Sequence, residues 1–212
     1  MTPLTTRPRN GSSAKTRPAF RSRPGRAPLE FYPTPPEATR ALLSVESFDG
    51  PIWECACGDG AGAISRELTA AGYNVRSTDL VHRGFGSGGH DFLKSDKPLA
   101  KHIITNPPYG THGLGDAFVR RALIHAGKTG GAVAMLLNLR SLANPDRHAK
   151  FVKTPPSAIY ILDDLTCWPM GKPTCKTVRI ARQQYYWAVW KPGHTGAPKM
   201  WWLSTAQFRD RL

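Results

Sequence analysis

From residue 31 onward, short apolar runs alternate with amphipathic stretches, and that alternation leaves few architectures open to the chain. Residues 51–57 read as a strand, 64–71 as a helix closed by Gly72, and 74–80 as a second strand. Residues 102–105 form a third strand, 115–126 a helix, 131–139 a buried strand and 145–152 a helix, with late strands at 157–162 and 185–190. Strands that alternate with helices in this way build a mostly parallel sheet covered by helices on both faces. In the last of these strands Tyr186, Ala188 and Trp190 face one side and Tyr185, Trp187 and Val189 the other, so most of these aromatics are expected in the core. A helix start precedes the first strand. Thr34-Pro35-Pro36-Glu37 offers a capping threonine, prolines tolerated in the first turn and a glutamate three residues on, which together read as a capping box. The backbone donors of such a helix end would suit an anion such as a carboxylate.

With 212 residues the chain has room for one domain with a full core. Its 29 lysines and arginines against 15 acids give a formal charge of +14, which favours polyanionic partners and salt-sensitive association with them. Seven of those cations, Arg7, Arg9, Lys15, Arg17, Arg21, Arg23 and Arg26, fall within residues 1–28, and no acid appears before Glu30. Residues 1–28 therefore read as a flexible basic arm able to lie along phosphates, residues 29–195 as the domain, and residues 196–212 as a C-terminal tail. Trp201 and Trp202 in that tail are expected to pack back on the domain. The longest apolar run, Ala132 to Leu137, is strand-sized, so no membrane span is expected. The N-terminus lacks the apolar core of a secretory signal, and its prolines would break the amphipathic helix of an organellar transit peptide. Four cysteines without CxxC spacing point to the reducing cytoplasm, with neither a disulfide framework nor a metal site.

The chemistry-bearing residues gather where strands end. Glu54-Cys55-Ala56-Cys57-Gly58-Asp59-Gly60-Ala61-Gly62 closes one strand and opens a helix, and its glycines permit a tight turn with close approach of a ligand to the backbone. Asp79 ends the next strand, where a carboxylate can accept both ribose hydroxyls. Strand, glycine turn, helix, strand and acid indicate a nucleoside cofactor without choosing between NAD and S-adenosylmethionine. Gly84-Phe85-Gly86-Ser87-Gly88-Gly89 also matches GxGxxG, but no helix pattern follows it, and it reads as a flexible loop. Asp91, before Phe92 and Leu93, could accept a bond from the cofactor's adenine amino group.

Asn106-Pro107-Pro108-Tyr109 follows the apolar Ile103-Ile104 and so lies at the carboxyl end of a strand, the edge where open α/β sheets bind ligands. An exocyclic amino nitrogen is a poor nucleophile because its lone pair is delocalised into the ring. Two acceptors aimed at its hydrogens, the Asn106 side-chain oxygen and the Pro107 carbonyl, favour the pyramidal form that attacks. Prolines hold those acceptors without reorganisation, and Tyr109 offers a face on which an extruded base can stack.

These residues resemble the amino-methyltransferases of DNA, in the linear order of the gamma group that includes the TaqI-type adenine enzymes. Phe31-Tyr32-Pro33-Thr34-Pro35 is similar to the family's segment ahead of the glycine motif, which helps hold the methionine part of the cofactor. Glu54-Cys55-Ala56-Cys57-Gly58 is similar to the glycine motif itself, with Cys55 where the family has proline. Asp79, Asp91-Phe92-Leu93 and Asn106 to Tyr109 fall on the remaining motifs. The resemblance covers residues 31–140 and weakens beyond. It implies a Rossmann-like class I methyltransferase domain with a seven-stranded, mostly parallel sheet whose last strand is antiparallel. It implies S-adenosylmethionine as cofactor, held by Tyr32, Pro33, Thr34, Glu54, Cys55, Gly58, Gly60, Asp79, Leu80, Asp91, Phe92 and Asn106. Asn at the first position of the tetrapeptide is typical of adenine enzymes. The large C-terminal domain with which gamma enzymes read their target has no room here, so the chain looks more like the compact enzymes of phages and prophages.

Between Thr166 and Arg182 the chain carries Lys172, Lys176, Arg179 and Arg182 with no acid, behind Trp168 and Pro169. Basic residues beside aromatics suit phosphate contact and base stacking, with Trp168 as a second stacking face. The partner expected is DNA, with RNA as the alternative. Glutamine methyltransferases of proteins use similar tetrapeptides, and a non-catalytic basic nucleic-acid-binding module is the rival from another class.

Overall fold

The computed structural model describes residues 31–59, 63–110, 113–167 and 183–209. Seven strands form one sheet: β1 Ile52–Glu54, β2 Val75–Ser77, β3 His102–Thr105, β4 Val133–Asn138, β5 Ala158–Asp163, β6 Tyr185–Trp190 and β7 Lys199–Ser204. Among the described residues the α-helices are α1 Pro36–Leu43, α2 Ala63–Ala70, α3 Leu114–Thr129 and α4 Pro145–Lys153. The strand order is β2-β1-β3-β4-β6-β5-β7. Every neighbouring pair is parallel except those of β6, which runs antiparallel to both β4 and β5.

Side-chain alternation explains the layering. Ile104, Ala134, Leu136, Trp187 and Val189 point to one face, where Ala38, Ala41 and Leu42 of α1 and Ile64 and Leu68 of α2 cover them. Ile103, Val133, Met135, Tyr186 and Trp190 point to the other, under Phe118, Val119, Ala122 and Ala126 of α3. Both faces being covered, β4 and β6 are apolar at successive positions rather than alternating. All six residues of β6 are buried, as their pattern predicts. The indole N–H of Trp187 donates to the Ala38 carbonyl at 2.9 Å, so the large ring is satisfied inside.

Two expectations are corrected at the C-terminal end. The antiparallel strand is β6, the sixth and not the last. The stretch expected as a tail at 196–212 instead supplies, within its described residues 196–209, β7, parallel to β5, and the short 3₁₀ turn Ala206–Phe208. Trp201 and Trp202 do not pack back on the domain. As adjacent residues of an edge strand they point to opposite faces, and among the described residues they stay 65% and 67% exposed. The strand escaped the sequence reading because Met200-Trp201-Trp202-Leu203 is apolar at successive positions, with no period-two alternation to mark a half-buried strand.

The second glycine-rich stretch is also corrected, from flexible loop to a segment laced to β2. Ser87 N–H donates to the Ser77 carbonyl at 2.9 Å, Asp79 N–H donates to the Ser87 carbonyl at 3.0 Å, and Thr78 and Ser87 form a parallel bridge. Gly86 is required there: a Cβ would stand 2.6 Å from the Ser77 carbonyl oxygen and 2.9 Å from Cys57 Sγ, at a φ of +63°.

Candidate active site

The chain leaves β1 toward β2 on one side and returns through β3 on the other, so the carboxyl ends of β1 and β3 flank the point where strand order reverses. Ligands of open α/β sheets bind at such points. A cavity of about 440 Å³ opens there. Its walls include Tyr32, Pro33, Thr34, Glu54, Cys55, Gly58, Asp79, Leu80, Asp91, Phe92 and Asn106 to Tyr109, residues spread over 78 positions of sequence. Gly60 lies outside the described residues, as do Trp168, Lys172, Lys176, Arg179 and Arg182.

Glu54, the last residue of β1, is 2% exposed. Its carboxylate accepts from Ser65 Oγ of α2 at 2.8 Å and from Thr105 Oγ1 of β3 at 3.2 Å, tying both flanking elements to the site. Burial outweighs those bonds and pushes its pKa up to about 7. Asp79 stands across the glycine turn. One of its oxygens accepts from Gly58 N–H at 2.9 Å and the other from Val81 N–H at 2.8 Å and Arg83 at 3.1 Å. Each carboxylate oxygen has two lone-pair directions, so a ribose hydroxyl can join beside Gly58 and a second can replace Arg83. Gly58 has a φ of +65°, and a Cβ there would fall 2.6 Å from the Phe31 ring. The Arg83 guanidinium in turn lies 4.8 Å from the centre of that ring. Asp91 accepts from Leu93 N–H at 3.1 Å and pairs with exposed Lys94 at 3.3 Å, at the rim of the cavity. Burial raises the pKa of Cys55, and raises that of Cys57 to about 12, so both thiols stay protonated as small wall residues.

Asn106 follows β3 directly. Its amide nitrogen donates to Thr34 Oγ1 at 3.0 Å and to the Tyr32 carbonyl at 3.3 Å, which binds the segment ahead of α1 to the tetrapeptide. Tyr109 is anchored at its hydroxyl end. Its hydroxyl reaches inward, to Asn106 Oδ1 at 2.7 Å and the Leu136 carbonyl at 3.0 Å, and its ring lies 6.2 Å from that of Tyr185. Burial holds its pKa well above the usual range, so it remains a donor. Thr34 does not form the expected capping box: Pro35, not Thr34, is the N-cap of α1 and offers no side-chain cap, and the Thr34 hydroxyl is engaged with Asn106.

No known protein-family model matches the chain, and no curated protein matches it in sequence. Solved structures do resemble it. A Listeria monocytogenes protein assigned to the class I S-adenosylmethionine-dependent methyltransferases gives a TM-score of 0.56 at 13% identity, over 84% of this chain and 67% of that one. The methyltransferase subunit of a type I restriction-modification system from Streptococcus thermophilus gives 0.57 at 11% identity, over 86% of this chain and 48% of the other. This chain thus spans about half the length of that subunit. The fold is that of the class I methyltransferases. Arg83, stacked on Phe31 beside the glycine turn, is a functional candidate that reading the motifs did not single out. Arg83 could have been found as the cation four residues after Asp79, a spacing that places the two in reach.

Proposed function

We propose that the protein transfers a methyl group from S-adenosylmethionine to the exocyclic N6 amino group of adenine in DNA. The observation that carries this reading is the orientation of Asn106 beside the three acids. Its amide nitrogen is committed to residues 32 and 34, so its oxygen turns away from them, in a cavity that Glu54, Asp79 and Asp91 also line. The cavity suits the cofactor on its own chemistry. Its volume lies within the roughly 300–1,000 Å³ of small-molecule sites, it has apolar walls, and its acids suit a cationic ligand that carries ribose and amino groups. Asp79 would accept the ribose hydroxyls, Asp91 the adenine amino group, and Glu54 with Tyr32 and Pro33 would hold the methionine end, the Thr34 hydroxyl being engaged with Asn106.

Bound S-adenosylmethionine supplies an electrophilic methyl group on sulfur. The chain's own residues prepare the other partner. Asn106 Oδ1 and the Pro107 carbonyl accept the two hydrogens of the target amino group, which localises its lone pair toward the methyl. The prolines fix both acceptors beforehand, so catalysis is mostly positioning. The surplus proton leaves to water along the same acceptors. Tyr109 would give the base an apolar edge, and Trp168 with Lys172, Lys176, Arg179 and Arg182 would grip the nucleic acid around it. Asn at the head of the tetrapeptide, the formal charge of +14 and the likeness in fold to a restriction-modification subunit support DNA as the substrate.

The test offers labelled S-adenosylmethionine with plasmid DNA, total RNA and protein in parallel. Label in DNA, lost in Asn106→Ala, is expected. Label in RNA or on protein would replace the substrate. Failure to bind the cofactor at all would favour a non-catalytic nucleic-acid-binding module.

A further inference from the structure

Thr34 stands one residue before the N-cap of α1, a position that Pro35 occupies without a side-chain cap, so the Thr34 hydroxyl is free of the helix end. The hydroxyl accepts from Asn106 Nδ2 at 3.0 Å, while the Tyr32 carbonyl accepts from the same nitrogen at 3.3 Å. A carbonyl can only accept, so the amide nitrogen must face residues 32 and 34 and Oδ1 must face away. Thr34 is 5% exposed, which shields this contact from solvent. On the opposite side the Tyr109 hydroxyl has one proton and two acceptors in reach, Asn106 Oδ1 at 2.7 Å and the Leu136 carbonyl at 3.0 Å.

We infer that Thr34 is a positioning residue for methyl transfer: it locks the Asn106 amide with its oxygen toward the target nitrogen, while the Tyr109 hydroxyl holds that oxygen until the target amino group arrives and then turns to Leu136. Every polar atom of the device has a partner in both states. The target's hydrogen replaces the tyrosine's on Oδ1, and the tyrosine's proton moves to an acceptor already within hydrogen-bond distance. The inference rests on the reading of Asn106 as the acceptor of the target amino group. It differs from a role in holding the cofactor, because Thr34 would then act on the chemical step through Asn106 and not on affinity for S-adenosylmethionine.

The test compares full-length wild type with Thr34→Val, which keeps shape and loses the hydroxyl, and with Thr34→Ser, which restores it. Single-turnover methyl transfer and calorimetric S-adenosylmethionine binding are measured on each. The side-chain amide resonances of Asn106, assigned by their disappearance in Asn106→Asp, are recorded by NMR. With one oriented hydrogen bond at stake, Thr34→Val should slow transfer by about tenfold or more and change cofactor Kd by less than about threefold. Thr34→Ser should recover, and the Asn106 resonances should shift and exchange faster in the valine variant alone. Weaker cofactor binding with transfer retained would overturn the inference, as would a serine variant as slow as valine, or unchanged Asn106 resonances. If wild type methylates nothing offered, the functional reading falls, and the resonances still decide whether Thr34 locks Asn106.

Discussion

Glu54 carries the clearest pH signature in the molecule. Its pKa stands at about 7 against an ordinary 4.5, chiefly because burial disfavours the charged form. The folded state therefore retains a proton that the unfolded state releases. The associated stability is fully present below pH 4.5, falls as pH rises, and is gone by about pH 7, with a total near 3 kcal/mol. Glu54→Gln should remove that slope from a series of urea melts. A cationic ligand favours the ionised form, so S-adenosylmethionine binding should expel a proton and tighten from about pH 5 to about pH 8. Calorimetry in buffers of different ionisation enthalpy reads this directly, and absence of proton release would separate Glu54 from the ligand's charge. Gly58→Ala should weaken cofactor binding by more than about tenfold, since the new Cβ meets Phe31 at a φ that alanine avoids. Residue identities in the motifs were readable because their chemistry is local. The Asn106–Thr34–Tyr109 hydrogen bonds were not, because 72 positions separate Thr34 from Asn106 and only the fold brings them together.

Among the elements, the strands β1 to β6 are legible in the sequence, and β7 is not. β3 and β6 stand where their apolar runs place them, whereas the run Met200 to Leu203 of β7 lies in the stretch that the composition assigns to a tail. The stretch at residues 84–89 shows a second kind of loss, since its glycines serve close backbone packing against Ser77 and not mobility. β7 gives a direct stability contrast. Trp201→Ser and Trp202→Ser should each cost about 1 kcal/mol or less, because the rings are two-thirds exposed, while Leu203→Ala should cost about 2–4 kcal/mol. Urea denaturation of the three variants checks this, and a large loss at either tryptophan would mean that the edge is covered in solution.

Across the whole molecule, the alternation of strands and helices was enough to place the chain in its architecture, although no family model or curated sequence matches it. Strand direction and order were less accessible, because they depend on crossovers that residue patterns do not encode. The role we propose for residues 1–28 can be weighed by charge. Residues 1–28 carry seven cations and no acid, so removing them takes the formal charge from +14 to +7. If the arm lies along phosphates, its deletion should weaken DNA binding and lower the log–log salt slope by up to about 6. An unchanged slope would place the arm elsewhere. The central claim is tested most directly by digesting DNA to nucleosides after incubation with the protein and S-adenosylmethionine, then quantifying N6-methyladenine by mass spectrometry. The account predicts N6-methyladenine from the wild type and none above background from Asn106→Ala. Methylation confined to cytosine, or equal N6-methyladenine from the two proteins, would contradict it.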